Sequence, residues 1–464
     1  MERQELGTLP GPGRRCTPGD VRLQSGVTGP ESDARSSRAR PITPVGIAMS
    51  HDSSELPVVV IGAGAAGLLA ALMAARRGAR VILLERTKDG GRKILISGGG
   101  RCNILPSTVQ PERYVTASSP NTLRKILRSW PLSEQRVFFE DELGIPLVLE
   151  EESGKLFPSS HKARDVRDGL IRAVREAGAD IWFGALVTGL TPRPAPSDSI
   201  APASYWDVHI DGAPPVKARA VIVATGGLSV PATGSDGTGL KIIQALGHTV
   251  NGTYPALTPL TADPHPHADL SGVSEVVTIF APGAKPGFRT TGGFLFTHRG
   301  WSGPSVLDAS HMAVRGHISG ERQELHVAWT SRSAERWSSG LKQGRGTVRS
   351  VLSSQLPRRL ADLLLREAQV DASTSLAQLN RGDRERLVAA LTDYRLPWTG
   401  DEGYKKAEVT GGGVSLGGID PRTMESRKIP GLFLCGEILD AFGPIGGHNF
   451  LWAWATGRAA GLHA

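Results

Sequence analysis

The stretch VVVIGAGAAGLLAALMAARRGARVILLER, Val58 to Arg86, decides how the rest of the chain reads. An apolar run, Val58 to Ile61, enters a glycine turn, Gly62-Ala63-Gly64-Ala65-Ala66-Gly67. An alanine-rich helix follows to Arg77, then Gly78 and a second apolar run, Val81 to Leu84, that ends at Glu85. This is a strand–turn–helix–strand unit of about 30 residues with G-x-G-x-x-G spacing. Gly62 permits the tight turn, Gly64 lets backbone approach a pyrophosphate, and Gly67 lets the helix pack against the strand. Unpaired amides of the first helical turn, at Ala65 and Ala66, and the positive end of the helix dipole then face the phosphates. Glu85, followed by Arg86, stands where a carboxylate accepts hydrogen bonds from an adenosine ribose, and its charge disfavours a 2′-phosphate. Together these residues specify a dinucleotide-binding α/β unit.

Composition bounds what surrounds that unit. With 464 residues, 39% of them hydrophobic, the chain has room for a large core and about two or three domains. No apolar run approaches the roughly 18 residues of a membrane-crossing helix, so no membrane span is expected. A net charge of +8 invites a nucleic-acid partner. The basic residues are spread along the chain without a dense Lys/Arg block, however, so a solvated basic surface and no nucleic acid is the expectation. Cys16, Cys102 and Cys435 form no C-x-x-C, which excludes a local zinc site and suits a reducing cytoplasm. Residues 1–54 are rich in Gly, Pro, Ser and Arg and read as a disordered extension. Its acidic residues argue against a transit peptide, and Met49 offers an internal start just ahead of the first strand.

Downstream lies GGRKILISGGGRCN, Gly90 to Asn103, a glycine-dense basic loop whose amides can wrap a cofactor and whose Arg92, Lys93 and Arg101 can neutralise phosphates. G-R-K-I-L-x-S-G-G-G-R-C-N resembles the motif of a bacterial FAD-binding family that includes aminoacetone oxidases and BaiN-like flavoproteins, and the likeness extends over nearly all of the chain after residue 56. It covers L-F-T-H-x-G-x-S-G-P at Leu295–Pro304 and a final Gly446-Gly447-His448-Asn449 helix start.

That resemblance implies a discontinuous, Rossmann-like (glutathione-reductase-type) α/β fold. Residues 55–255 and 401–464 form the FAD-binding domain, with a β-barrel insert at 256–345 and a helical insert at 346–400. It implies non-covalent FAD. Ser97, Gly98, Gly99, Arg101 and Asn103 belong to the wrapping loop, and backbone near Val187 meets the adenine. The strand-end turn Thr225-Gly226-Gly227 lies against the cofactor, and Gly436, Glu437, Asp440, Gly447, His448, Asn449 and Phe450 frame the flavin end. The amino end of the last helix stabilises charge on the ring. From the residues themselves, 163–177 reads as an amphipathic helix and 181–187 as a strand.

A flavin performs its own redox chemistry, so catalytic side chains are few. His298, His448 and Cys102 are the candidates, Cys102 because Arg101 favours a thiolate. The family usually has Tyr at 448, Gln at 451 and Leu at 301, where this chain has His448, Leu451 and Trp301. No second G-x-G-x-x-G supports a dedicated NAD(P) domain, so NAD(P)H enters as a transient donor, or dioxygen as acceptor. The expected reaction is hydride transfer between flavin and a small organic substrate, reducing an activated double bond or oxidising an amine, in a monomer or homodimer. Rival readings are a flavin-containing RNA-modifying protein, a non-catalytic redox sensor responding at Cys102, and a nicotinamide dehydrogenase.

Overall fold

Four consecutive apolar residues with no alternation suit a strand covered on both faces, and Val58–Ile61 (β1) is such a strand, at the centre of a parallel sheet. In this computed structural model, which describes residues 56–194, 204–285 and 287–464, the sheet also contains Val81–Glu85 (β2), Asp180–Phe183 (β3), Ala220–Val223 (β4) and Leu432–Leu434 (β5). Their order is β5-β4-β1-β2-β3, with Val60 paired to Leu83 on one side and to Ile222 on the other. The last strand in the chain therefore lies beside β4, more than half the sequence away from β1. The N-terminal extension, Met49 and the 195–203 loop lie outside the described residues.

Ala65–Arg76 (α1) follows β1 and is buried on almost every side because a second helix, His448–His463 (α2), lies directly against it. Gly457 and Gly461 make that approach close: a Cβ on either would come within 2.4 Å and 2.3 Å of the carbonyl oxygens of Ala66 and Ala70. The indoles of α2 are structural. Trp452 donates to the Gly436 carbonyl and Trp454 to that of Ile104, both at 3.1 Å, and both are buried. Pairing each indole N–H while burying the ring is how a tryptophan becomes core.

The amphipathic segment forms a helix at Ala163–Glu176. The strand expected at 181–187 divides instead. Its first part is β3; the chain then turns at Gly184 (φ 76°), and Val187–Pro194 begins a separate antiparallel three-stranded sheet. Two glycine-punctuated strands, Val250–Ala256 and Val409–Val414, pair antiparallel beside the nucleotide unit.

Residues 260–401 supply a seven-stranded antiparallel sheet, with the helix Pro304–Ser319 packed on it. Its two edge strands, Tyr394–Arg395 and Gly400–Asp401, come from beyond the helical segment. Accordingly one hydrophobic core joins barrel-side residues such as Phe294, Trp301 and Trp329 to helical residues such as Leu360, Leu364 and Leu387.

Candidate functional site

In a parallel sheet, ligands settle where chain connections leave the central strand in opposite directions, at the strands' carboxyl ends. Here that point is between β1 and β4, and a cleft open to solvent lies there. Gly62 takes φ 102°, and a Cβ on it would meet the Ala224 carbonyl at 2.6 Å; one on Gly67 would lie 1.8 Å from the Gly62 carbonyl. Gly64 differs: its φ of −80° is ordinary, and nothing lies within 4 Å of where its Cβ would be. The three glycines therefore shape the turn, seat the helix and keep a space clear. The first turn of α1 carries no acidic residue and no side-chain cap, so its amides remain available to an anion.

Around that space Glu85 is buried, and its Oε2 accepts from the Ala63 amide while Oε1 accepts from the Thr87 amide and hydroxyl, each at 2.7 Å. The carboxylate thus fastens the glycine turn as well as lining the cleft. Arg86 is ion-paired with Asp236, and Arg92 with Asp89 at 2.6 Å. Lys93 Nζ donates to Ser229 Oγ and Glu437 Oε2, both 2.6 Å, while Glu437 Oε1 accepts from Ser229 Oγ and the Thr410 amide. Thr225 Oγ1 is buried with no partner. An uncapped helix start and a cleared Gly64, both facing one cleft, fit the adenosine-diphosphate half of a dinucleotide.

Of the residues expected there, Gly62, Gly64, Ala65, Ala66, Glu85, Arg86, Arg92, Lys93, Val187, Thr225, Gly226, Gly436 and Glu437 line the cleft. Chain segments from both ends thereby meet, with Ala453 of α2 alongside. Gly67 lies beneath them. Thr87, Ser235, Asp236 and Thr238 line it too. The sequence analysis does not single them out as site residues; Asp236 Oδ1 accepts from the Thr238 amide at 3.1 Å, at the start of a helix.

The other named residues sit outside this cleft. Gly98 and Gly99 take φ of 55° and 68° in the short turn Ser97–Gly100, whose Gly98 packs on the Asn103 amide. That segment runs into Leu105, against which Gly447 lies so closely that a Cβ would come within 2.5 Å of its carbonyl carbon. The wrapping loop and the start of α2 are therefore neighbours. Asn449 locks the preceding turn through two hydrogen bonds with Gly443, at 2.8 and 3.1 Å, and Phe450 stacks on Trp454. Gly227 packs under Thr410.

Three expectations need correction. Arg101 does not face phosphates: its guanidinium bonds Glu150 at 2.8 Å and lies over the Phe157 ring. Cys102 is consequently no activated thiolate; it is fully buried, and burial pushes its thiol up to about 12. Asp440 is occupied structurally, its Oδ2 accepting from Thr116, Ala117, Ser118 and Asn251. His298 lies on an exposed turn of the seven-stranded sheet and does not line this cleft. His448 is buried edge-on to Tyr114, whose hydroxyl donates to the His448 carbonyl at 2.9 Å. Its Nδ1 has no partner, and its imidazole is held neutral, pushed down to about 4, by burial and then by the Arg113 charge.

Comparison with known proteins agrees with this geometry. The model of the HI0933-like protein Rossmann domain matches residues 56–463. The chain is 32% identical over 403 residues to a ribosomal RNA dihydrouridine synthase of Escherichia coli, covering 86% of this chain and 96% of that protein. It is 31% identical over 414 residues to a 3-dehydro-bile acid delta(4,6)-reductase of Clostridium scindens, covering 87% and 98%. A solved 3-ketosteroid delta1-dehydrogenase from Sterolibacterium denitrificans superposes with a TM-score of 0.49 at 14% identity, covering 89% of this chain and 99% of that one. The chain belongs to the HI0933-like family of FAD-binding Rossmann-domain oxidoreductases.

Proposed function

We propose that this FAD-dependent oxidoreductase reduces a carbon–carbon double bond conjugated to a carbonyl, taking its electrons from a reduced nicotinamide that visits transiently. One observation carries the choice of reduction over amine oxidation. Two relatives above 30% identity, each aligned over nearly its whole length, bear names for unlike substrates, yet both names denote hydrogen added across a carbon–carbon double bond. FAD, when bound and reduced, supplies the hydride. The chain's own residues do the rest. Amides at the start of α1 hold the pyrophosphate across Gly64, Glu85 accepts from the ribose, and backbone near Val187 meets the adenine. The Ser97–Asn103 loop and the Gly447–Phe450 turn frame the flavin ring, and the neutral His448 neither adds charge there nor takes a proton at pH 7.

A second reading concerns the substrate rather than the reaction. Two relatives named as ribosomal RNA dihydrouridine synthases, from E. coli and Haemophilus influenzae, together with the net charge of +8, favour uridine in RNA. Purified protein is first titrated anaerobically with NADH and with NADPH. The reduced protein is then mixed with 2-cyclohexen-1-one or with an unmodified ribosomal RNA transcript. Reoxidation by the enone alone selects a small substrate, and reoxidation by the transcript alone selects RNA. Bleaching of the oxidised flavin by an amine, with neither probe reoxidising the reduced form, refutes the reductase assignment.

A further inference from the structure

Six charged residues line the cleft: Glu85, Arg86, Arg92, Lys93, Asp236 and Glu437. Each of the three cations is already paired with a carboxylate. Arg86 is held by Asp236, Arg92 by Asp89, and Lys93 by Glu437, from the opposite end of the chain, at 2.6 Å. The cations that the sequence offers to a diphosphate are therefore engaged before any ligand arrives.

Lys93 and Glu437 close a ring with Ser229. Lys93 Nζ donates to Ser229 Oγ and to Glu437 Oε2, both at 2.6 Å, and Ser229 Oγ donates on to Glu437 Oε1 at 2.5 Å. The Thr410 amide donates to the same Oε1 at 2.9 Å. Thr410 Oγ1 in turn accepts from the Leu228 and Ser229 amides at 2.7 and 3.1 Å. Four segments meet in this knot: the helix Arg92–Ile96, the turn after β4, the strand Val409–Val414 and the turn after β5. Ser229 is fully buried, whereas the Glu437 and Lys93 side chains keep 18% and 27% exposure on the cleft wall.

We propose that Lys93 is a positioning residue for the cofactor, acting through Glu437 and not by touching the diphosphate. This rests on the reading above that the cleft holds FAD. An ammonium held by two acceptors at 2.6 Å is not free to follow a phosphate. Its work is to cancel the Glu437 charge and to fix which way that carboxylate faces. The diphosphate is anionic, and reduction adds negative charge to the ring. A carboxylate left uncancelled in a half-buried wall, where water screens it poorly, opposes both. Glu437 belongs to the segment that leads from β5 to the start of α2, where the ring is set above, so reduction feels the pair as well as binding does.

The test is a double-mutant cycle on the whole chain, with Lys93→Met, Glu437→Gln and the two together. Each apoprotein is titrated with FAD by flavin fluorescence quenching, and the midpoint potential of each loaded protein is measured against a reference dye. Lys93→Met is expected to weaken FAD about 10- to 100-fold, the range of a coupled charged contact. It is also expected to lower the potential, because the reduced form loses more affinity than the oxidised form. Each further tenfold loss for the reduced form lowers a two-electron potential by about 30 mV. In the Glu437→Gln background the same change should move Kd by less than about twofold and leave the potential in place. If Lys93→Met costs as much in that background as in the unaltered chain, Lys93 touches the cofactor directly; the inference is overturned and the cleft reading stands. Lys93→Met that binds FAD as tightly as the unaltered chain overturns it too. Unaltered protein that takes up no FAD overturns the cleft reading and the inference with it. If Lys93→Met does not fold, the pair is shortened at one end and lengthened at the other. Glu437→Asp alone should then weaken FAD, and Lys93→Arg beside it should restore Kd to within about twofold of the unaltered value; failure to restore it overturns the inference.

Discussion

Gly64→Ala separates ligand binding from folding more cleanly than any other change in the glycine turn. The backbone there, φ −80° and ψ −173°, accepts an alanine, and its methyl would have no protein atom within 4 Å. Apo stability should therefore move by no more than about 0.5 kcal/mol, as for an unstrained surface change. The methyl instead occupies the space above the first amides of α1. Hydrogen bonds to a charged group contribute about 1.5–3 kcal/mol each, so displacing a phosphate from one of them weakens FAD about 10- to 100-fold. Ligand present at 100 times its Kd stabilises by about 2.7 kcal/mol, and a 100-fold weaker Kd leaves only about 0.4. The melting temperature measured with FAD should then fall by about 5 °C, taking roughly 2 °C per kcal/mol for a chain of this size. Without FAD it should hardly move. Gly67→Ala is the control. Its Cβ would lie 1.8 Å from the Gly62 carbonyl, so it should destabilise apo protein by more than about 1–3 kcal/mol, the usual cost of overpacking. Flavin fluorescence quenching gives Kd directly. A Gly64→Ala protein that binds FAD as tightly as the unaltered one would falsify the path of the pyrophosphate over that amide.

Glu85→Ala should fail on both counts, because it removes a cleft carboxylate and also strands the Ala63 and Thr87 amides. The buried Ala63 amide left unpaired costs about 1–3 kcal/mol, read from the apo urea midpoint, and flavin content should fall alongside; full loading in that variant counts against the ribose contact. Acid should destabilise the fold through His448 and His311, both buried and both pushed down from 6.5 to about 4. A depressed folded pKa contributes stability that is complete above about pH 6.5 and is lost as pH falls through about 4, with each imidazole contributing about 3 kcal/mol. Urea midpoints from pH 7 to about 4 should show it, with a shallower slope in His448→Phe; equal slopes in the two proteins would remove His448 from the account. Cys102 and Cys435, both buried, should resist a thiol reagent in native protein and react only on unfolding; rapid native labelling of Cys102 would revive a redox-sensing role.

The half of the site that we propose binds adenosine diphosphate was legible because backbone geometry makes it. A turn that only glycine can take, a helix start with no acid, and a carboxylate at the next strand's end are each local, and each leaves its mark within Val58–Glu85. The flavin half is assembled by contacts hundreds of residues apart, and there residue type misleads. Arg101 looks like a phosphate ligand until Glu150 and Phe157 are seen to hold it, and Asp440 looks like a cofactor contact until four donors from Thr116, Ala117, Ser118 and Asn251 are found on one oxygen. A polar side chain's chemistry is decided by which partners reach it first, and partners supplied by the opposite end of the chain leave no local trace. The strand at 181–187 shows the same limit in the backbone. Its apolar character was plain, but Gly184 ends one sheet and Val187 opens another, and that break is what places Val187 on the wall of the cleft.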